Sequence, residues 1–104
     1  MGLDTQGLEK EKIRIKKPSK FKVIMYNDDF TSMDFVIYIL VKIFNKDNDE
    51  AFNLMMNVHK GGSAIVGVYS YDIAKTKVEK SLSLAKDEGY PFRIKVEEAW
   101  NYEI

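Results

Sequence analysis

Apolar positions along the chain fall into groups whose spacing switches between periods near 2 and near 3.6, and the switches predict the elements. Residues 21–26 are mostly apolar, with β-branched and aromatic character, and Asn27-Asp28-Asp29 stops them, as expected of a strand running into a turn. Thr31 is the predicted N-cap of the next helix. Asp34, three residues on, completes a capping-box variant, and Phe30 and Phe35 take the two positions of a hydrophobic staple. The helix should run over residues 32 to about 44. Phe35, Val36, Ile39, Leu40, Ile43 and Phe44 recur at helical spacing, while Ile37, Tyr38 and Val41 widen the stripe.

A second helix is predicted from Asp47, with Glu50 three residues later and a core face of Ala51, Leu54, Met55, Val58 and His59. Gly61-Gly62 ends it, because glycine readily takes the left-handed terminating conformation. Residues 64–69 read as a strand, and Ser70 as the cap of a third helix that buries Ala74, Val78, Ser81, Leu82 and Ala85 until Gly89 and Pro91 close it. Phe92, Ile94 and Val96 then alternate with Arg93, Lys95 and Glu97, the period of a half-buried strand. The order βααβαβ predicts an α+β fold in which a three-stranded antiparallel sheet packs against three helices on one face.

Residues 1–18 differ from the rest. The first twenty residues hold six basic groups against three acidic ones and few large apolar groups, too few to offset the entropy of ordering them. We read 1–18 as a flexible basic extension, 19–99 as the folded domain and 100–104 as a tail. The whole chain, 104 residues with 16 basic and 16 acidic side chains, is neutral. Neutrality argues against nucleic-acid or other polyanion binding as the main activity. It conceals a division, since the remaining residues carry ten basic and thirteen acidic groups. The longest apolar stretch, 35–44, is broken by Lys42 and falls short of the ~20 residues of a membrane span. The first residues lack a signal-peptide core, and Gln6 stands where a myristoylation motif has Ser or Thr. The expectation is a soluble, cytoplasmic monomer.

With no cysteine and one histidine, thiolate chemistry, disulfides and multi-histidine metal centres are excluded. A serine nucleophile would need His59 as base, yet no Gly-x-Ser-x-Gly elbow exists and Ser63 lies only four residues beyond it. Adjacent Asp28 and Asp29 are poorly placed to flank a scissile bond, and no phosphate loop, dinucleotide pattern or His-x-x-x-His pair is present. These tests predict a protein that is not an enzyme and uses no cofactor or metal. Asn27-Asp28-Asp29 and His59 remain a candidate cluster. Asn and Asp are also ordinary turn residues before a helix, His59 reads equally as a partly buried histidine, and Met33, Met55 and Met56 as core filler.

Larger pieces of sequence weigh further: Asn27-Asp28-Asp29-Phe30-Thr31-Ser32-Met33-Asp34-Phe35-Val36, then Leu54-Met55-Met56-Asn57-Val58-His59, Gly67-Val68-Tyr69 and Ala74-Lys75-Thr76-Lys77-Val78. In this order and spacing, residues 19–99 resemble the ClpS family, bacterial adaptors of the N-end rule. The resemblance implies a non-catalytic module that captures the N-terminal Leu, Phe, Tyr or Trp of a substrate. It implies as partner the N-terminal domain of a ClpA/ClpC-type AAA+ unfoldase, which feeds the ClpP protease. Carried over by residue, Asn27, Asp28 and His59 fall where the family reads the α-amino group. Met25, Thr31, Met33, Val36, Met55, Val58 and Phe92 fall where it lines the side-chain pocket, Met33 being the gate against β-branched residues. Asp72 and Lys77 match positions facing the unfoldase, and the extension matches one needed for delivery. Departures are Ser32 for a common Pro, bulkier Tyr26 and Phe92, Asn57 for a small apolar residue, and a tail beyond the family's usual end.

The chemistry agrees with these roles. An ammonium has donors only, so its site needs acceptors and negative charge, which Asn27, Asp28 and neutral His59 supply. Two competing expectations are an interaction domain of ribosomal-stalk type with no amino-acid pocket, and a nucleic-acid binder acting through the basic extension.

Overall fold

The computed structural model describes residues 20–99. The proposed extension, 1–18, and the tail, 100–104, lie outside the described residues. Along 20–99 the elements follow in the expected order: β1 (Phe21–Tyr26), α1 (Met33–Lys42), α2 (Asn48–Gly61), β2 (Ser63–Tyr69), α3 (Tyr71–Glu88) and β3 (Arg93–Glu98). β1 is central, with β2 and β3 antiparallel on either side. Alternation along the strands turns Val23, Met25, Val66 and Ile94 into the core and leaves Arg93 and Lys95 exposed on the other side. Phe35, Val36, Ile39 and Leu40 of α1 meet Ala51, Met55 and Val58 of α2 and Ala74, Val78 and Ala85 of α3 in one core.

Register decides where a site can form. Tyr26, the last residue of β1, pairs with Ser63 at the start of β2 and with Arg93 at the start of β3. The loop from Asn27 therefore leaves the sheet where the two outer strands begin. At the other end, Phe21 pairs with Tyr69 and Glu98, and its ring stands edge-on to Tyr71 at 5.1 Å, so α3 begins there.

Several local expectations are corrected. The N-cap of α1 is Ser32, whose hydroxyl accepts from the Phe35 N–H at 3.1 Å, and not Thr31. Thr31 is already engaged, its N–H and hydroxyl both donating to Asp28 at 2.7 Å. Moving the cap by one residue dissolves the Phe30–Phe35 staple, and Phe30 is 76% exposed. α1 stops at Lys42, two residues before the expected end, because the Phe44 N–H bonds to the Ile39 carbonyl five residues back and Asn45 turns left-handed at φ 57°. His59 and Leu82, placed on buried faces by spacing, are exposed. Each sits at the edge of its stripe, where helical period alone does not decide burial.

The cap of α2 is as expected: Asp47 accepts from the Glu50 N–H at 2.8 Å, and Gly62 closes the helix at φ 89°. Ser70 occupies the N-cap of α3 without a side-chain capping bond, and Gly89 ends that helix at φ 78°. Buried Ser81 is satisfied by donating its hydroxyl to the Lys77 carbonyl at 2.8 Å.

Candidate functional site

The loop after β1 is held at both ends by hydrogen bonds that its sequence dictates. Asn27 donates its backbone N–H to the Gly62 carbonyl at 2.9 Å, which draws the C-terminal end of α2, with His59, beside the loop. Next, Asp28 folds the chain back: Oδ1 accepts the N–H groups of Phe30 (2.8 Å) and Thr31 (2.7 Å), and Oδ2 accepts the Thr31 hydroxyl at 2.7 Å. An aspartate two and three residues before such donors favours this turn. Partial burial alone would push the carboxyl pKa up. The bonds from Thr31 and Phe30 and the charge of Arg93 outweigh it and hold Asp28 below the ordinary aspartate value. A carboxylate offers about four lone-pair sites, so with three taken Asp28 keeps a negative charge and about one free acceptor position.

A cavity of about 190 Å³ opens directly behind this loop. Its apolar walls are Met33 and Val36 from α1, Met55 and Val58 from α2, and Phe92 just before β3. Around the mouth stand Tyr26, Asn27, Asp28, Asp29, Thr31 and His59. An apolar cavity of roughly 150 Å³ holds a benzene ring, so this one has the size of a single bulky side chain. Phe92 is a fixed wall, 5% exposed and packed edge-on against Phe35 at 5.9 Å, with Tyr90 on Phe35 at 5.0 Å. Met33, the first residue of α1, is 45% exposed at the rim, where a long unbranched side chain can move.

The structure brings together the three proposed amine-reading residues and six of the seven proposed pocket residues. The seventh, Met25, is corrected: it is wholly buried and does not line the cavity, because it shares the core face of β1 with Val23. Three mouth or neighbouring residues went unassigned. Tyr26 and Asp29 line the cavity, and Arg93 reaches toward it, Nη2 lying 3.5 Å from the Asn27 carbonyl and the guanidinium 5.0 Å from the Tyr26 ring centre. Arg93 was legible only as an outward-facing strand residue. Its pairing opposite Tyr26 depends on register.

Asp72 and Lys77 lie elsewhere, on α3, in a separate hollow of about 450 Å³ that also touches Lys42, Ile43 and Asn45. Asp72 is exposed in the first turn. Lys77 has intramolecular work: its ammonium donates to the Ile43 carbonyl at 2.6 Å and lies over the rings of Phe44 (5.7 Å) and Tyr69 (5.3 Å). The Tyr69 ring covers Gly67, where a Cβ would overlap its hydroxyl, and burial pushes the Tyr69 pKa up. Among the described residues no three His, Cys, Asp or Glu side chains form a metal cluster, and no helix is long and apolar enough to cross a membrane.

Comparison with known proteins fits this arrangement. The family model described as "ATP-dependent Clp protease adaptor protein ClpS" matches residues 16–95. An ATP-dependent Clp protease adapter protein ClpS from Wolinella succinogenes is 44% identical over 97 residues, 93% of this chain and 95% of that protein. One from Treponema denticola is 52% identical over 81 residues, 78% of this chain and 80% of its own length. Among solved structures, Agrobacterium tumefaciens ClpS2 bound to L-phenylalaninamide superposes with a TM-score of 0.74 at 37% identity, covering 78% of this chain and 98% of that one. Fold, loop and family match lead to one conclusion: the chain belongs to the ClpS family of adaptor proteins of the ATP-dependent Clp protease.

Proposed function

We propose that this adaptor captures proteins by a free N-terminal Leu, Phe, Tyr or Trp and delivers them to a ClpA/ClpC-type AAA+ unfoldase. The observation that carries the proposal is a cavity of one-side-chain size with apolar inner walls, whose mouth is an acceptor cluster around an ionised aspartate. An N-terminal residue is the ligand with that division: an ammonium with donors only, beside an apolar side chain. L-phenylalaninamide, held by the Agrobacterium relative, has the same two features. Burying one large apolar side chain is worth about 1.5–3 kcal/mol, and each charge-assisted hydrogen bond about 1.5–3 kcal/mol. Reduced by the costs of association, these sum to micromolar affinity or somewhat better, on the order of −8 kcal/mol. No bond is made or broken.

Delivery is assigned to the opposite end of the molecule. α3 starts beside Phe21, away from the cavity, so Asp72 and the start of β1 share an end. We assign that end to the N-terminal domain of the unfoldase, with the adaptor acting as a cytoplasmic monomer and without nucleic acid or membrane. The test is a titration of a fluorescent peptide beginning with Phe or Leu against the same peptide acetylated. Selective binding of the free amine supports the proposal. Equal binding of both forms, or of neither, would leave only an interaction domain without a pocket.

A further inference from the structure

A second hollow, about 350 Å³, adjoins the first along Tyr26 and Phe92, which line both. Leu82, Arg93, Ile94 and Lys95 complete it, and none of its walls is a carboxylate. Its charges are therefore opposite to those at the amine-reading mouth. Both cations lie over the Tyr26 ring, the Arg93 guanidinium 5.0 Å and the Lys95 ammonium 5.6 Å from its centre. Lys95 shares its charge with Glu97 at 2.9 Å. Among the described residues Arg93 has no ion pair within 4.0 Å and one side-chain hydrogen bond, 3.5 Å to the neutral Asn27 carbonyl, while its charge is felt at Asp28.

We propose that Arg93, backed by Lys95, forms a subsite for an acidic side chain at the second or third position of the captured chain. The inference rests on the pocket proposal above and deepens it. With the first side chain in the cavity, an extended chain advances about 3.3 Å per residue, so positions 2 and 3 leave within about 7 Å of the mouth. The adjoining hollow shares two of the cavity's walls. After its ammonium the ligand's main chain is neutral, so the next side-chain charge decides the electrostatics there. Stacking on Tyr26 keeps the planar guanidinium presented, and its fork suits a carboxylate. A cation at the same position meets Arg93 and Lys95 at no advantage. The site thus distinguishes chains by two charges in succession, a cation at Asp28 and an anion at Arg93.

Fluorescence anisotropy on the full chain tests this with free-amine peptides beginning Phe-Asp, Phe-Ala and Phe-Lys, a matching set varied at position 3, and acetylated Phe-Ala as control. An exposed ion pair supports a preference of about two- to fivefold for Asp over Ala, with Lys weakest, fading as salt is raised to about 0.5 M. Arg93→Glu should invert the order and Lys95→Glu should narrow it. Because Arg93 also touches Asn27, the ratio between peptides is the readout and not the absolute affinity of the variant. Asp, Ala and Lys peptides agreeing within about 1.5-fold at low salt at both positions, or an unchanged order in Arg93→Glu, overturns the subsite while leaving the pocket standing. Free Phe-Ala binding no better than its acetylated form overturns the pocket, and the subsite with it.

Discussion

Asp28 is the residue at which loop geometry and the proposed ligand chemistry meet, and substituting it separates the two. In Asp28→Asn the side-chain oxygen still accepts from the Phe30 and Thr31 N–H groups, at 2.8 and 2.7 Å in the parent, while the negative charge is gone. Asp28→Ala removes all three bonds. These bonds resemble an N-cap in kind and are only partly buried, so Ala should cost about 1–2 kcal/mol of stability and Asn less than about 1. Binding should respond differently. Both variants should lose the proposed charge-assisted bond to the ligand ammonium, about 1.5–3 kcal/mol, which would weaken a Phe peptide roughly 10- to 150-fold. Urea unfolding and peptide anisotropy on both variants check this. Asp28→Asn binding within about twofold of the parent would refute the electrostatic role, because its loop is nearly intact. The pH dependence carries a sign. The native pKa of Asp28 lies below its unfolded value, so the native state binds fewer protons and stability rises with pH across that interval. This contribution is complete above the ordinary aspartate pKa of about 4 and is lost as pH falls through the lower native value. Asp28→Asn should remove that part of the acid sensitivity.

Three further outcomes follow from the structure. Met33→Ala opens the rim at a 45% exposed position, so N-terminal Val and Ile peptides should bind several-fold better with little change in stability, and their continued rejection would remove Met33 as the gate. Lys77→Met deletes the bond to the Ile43 carbonyl and two ring contacts and should cost about 1–3 kcal/mol in urea unfolding, with Phe-peptide affinity within about twofold of the parent. Deleting residues 1–17 should leave peptide binding intact and abolish accelerated degradation by the unfoldase–protease pair, measured with a Phe-initiated fluorescent substrate; unchanged degradation would refute a role in delivery.

Legibility in the sequence followed the physical range of each signal. Strand positions 21–26 and the Asp47 cap with its Glu50 N–H were readable because an apolar run stopped by turn residues, and a cap, are local signals. The cap of α1 was misplaced because two adjacent hydroxyl residues compete for one position, and Asp28, three residues before Thr31, decides the contest by engaging it. Met25 shows the limit of transferring a role by position: strand alternation faces it into the core, and the cavity stops short of it. Residue type made Asn27, Asp28 and His59 a candidate cluster, but their roles came only through resemblance, since the bond from Asn27 to Gly62 that joins the loop to α2 spans 35 residues. Arg93 was invisible because what matters is the cross-strand pairing with Tyr26, which no single strand's pattern specifies.

The cavity is proposed to read a free α-amine together with one bulky apolar side chain. The most direct measurement of this is the affinity of a Phe-initiated peptide with a free N-terminus relative to the same peptide acetylated, at neutral pH and fixed salt. Acetylation removes the charge and leaves the acceptors at the mouth unpaired, so the free form should bind at micromolar concentration and lose at least about 30-fold on acetylation, roughly 2 kcal/mol. Equal affinities for the two peptides would contradict it.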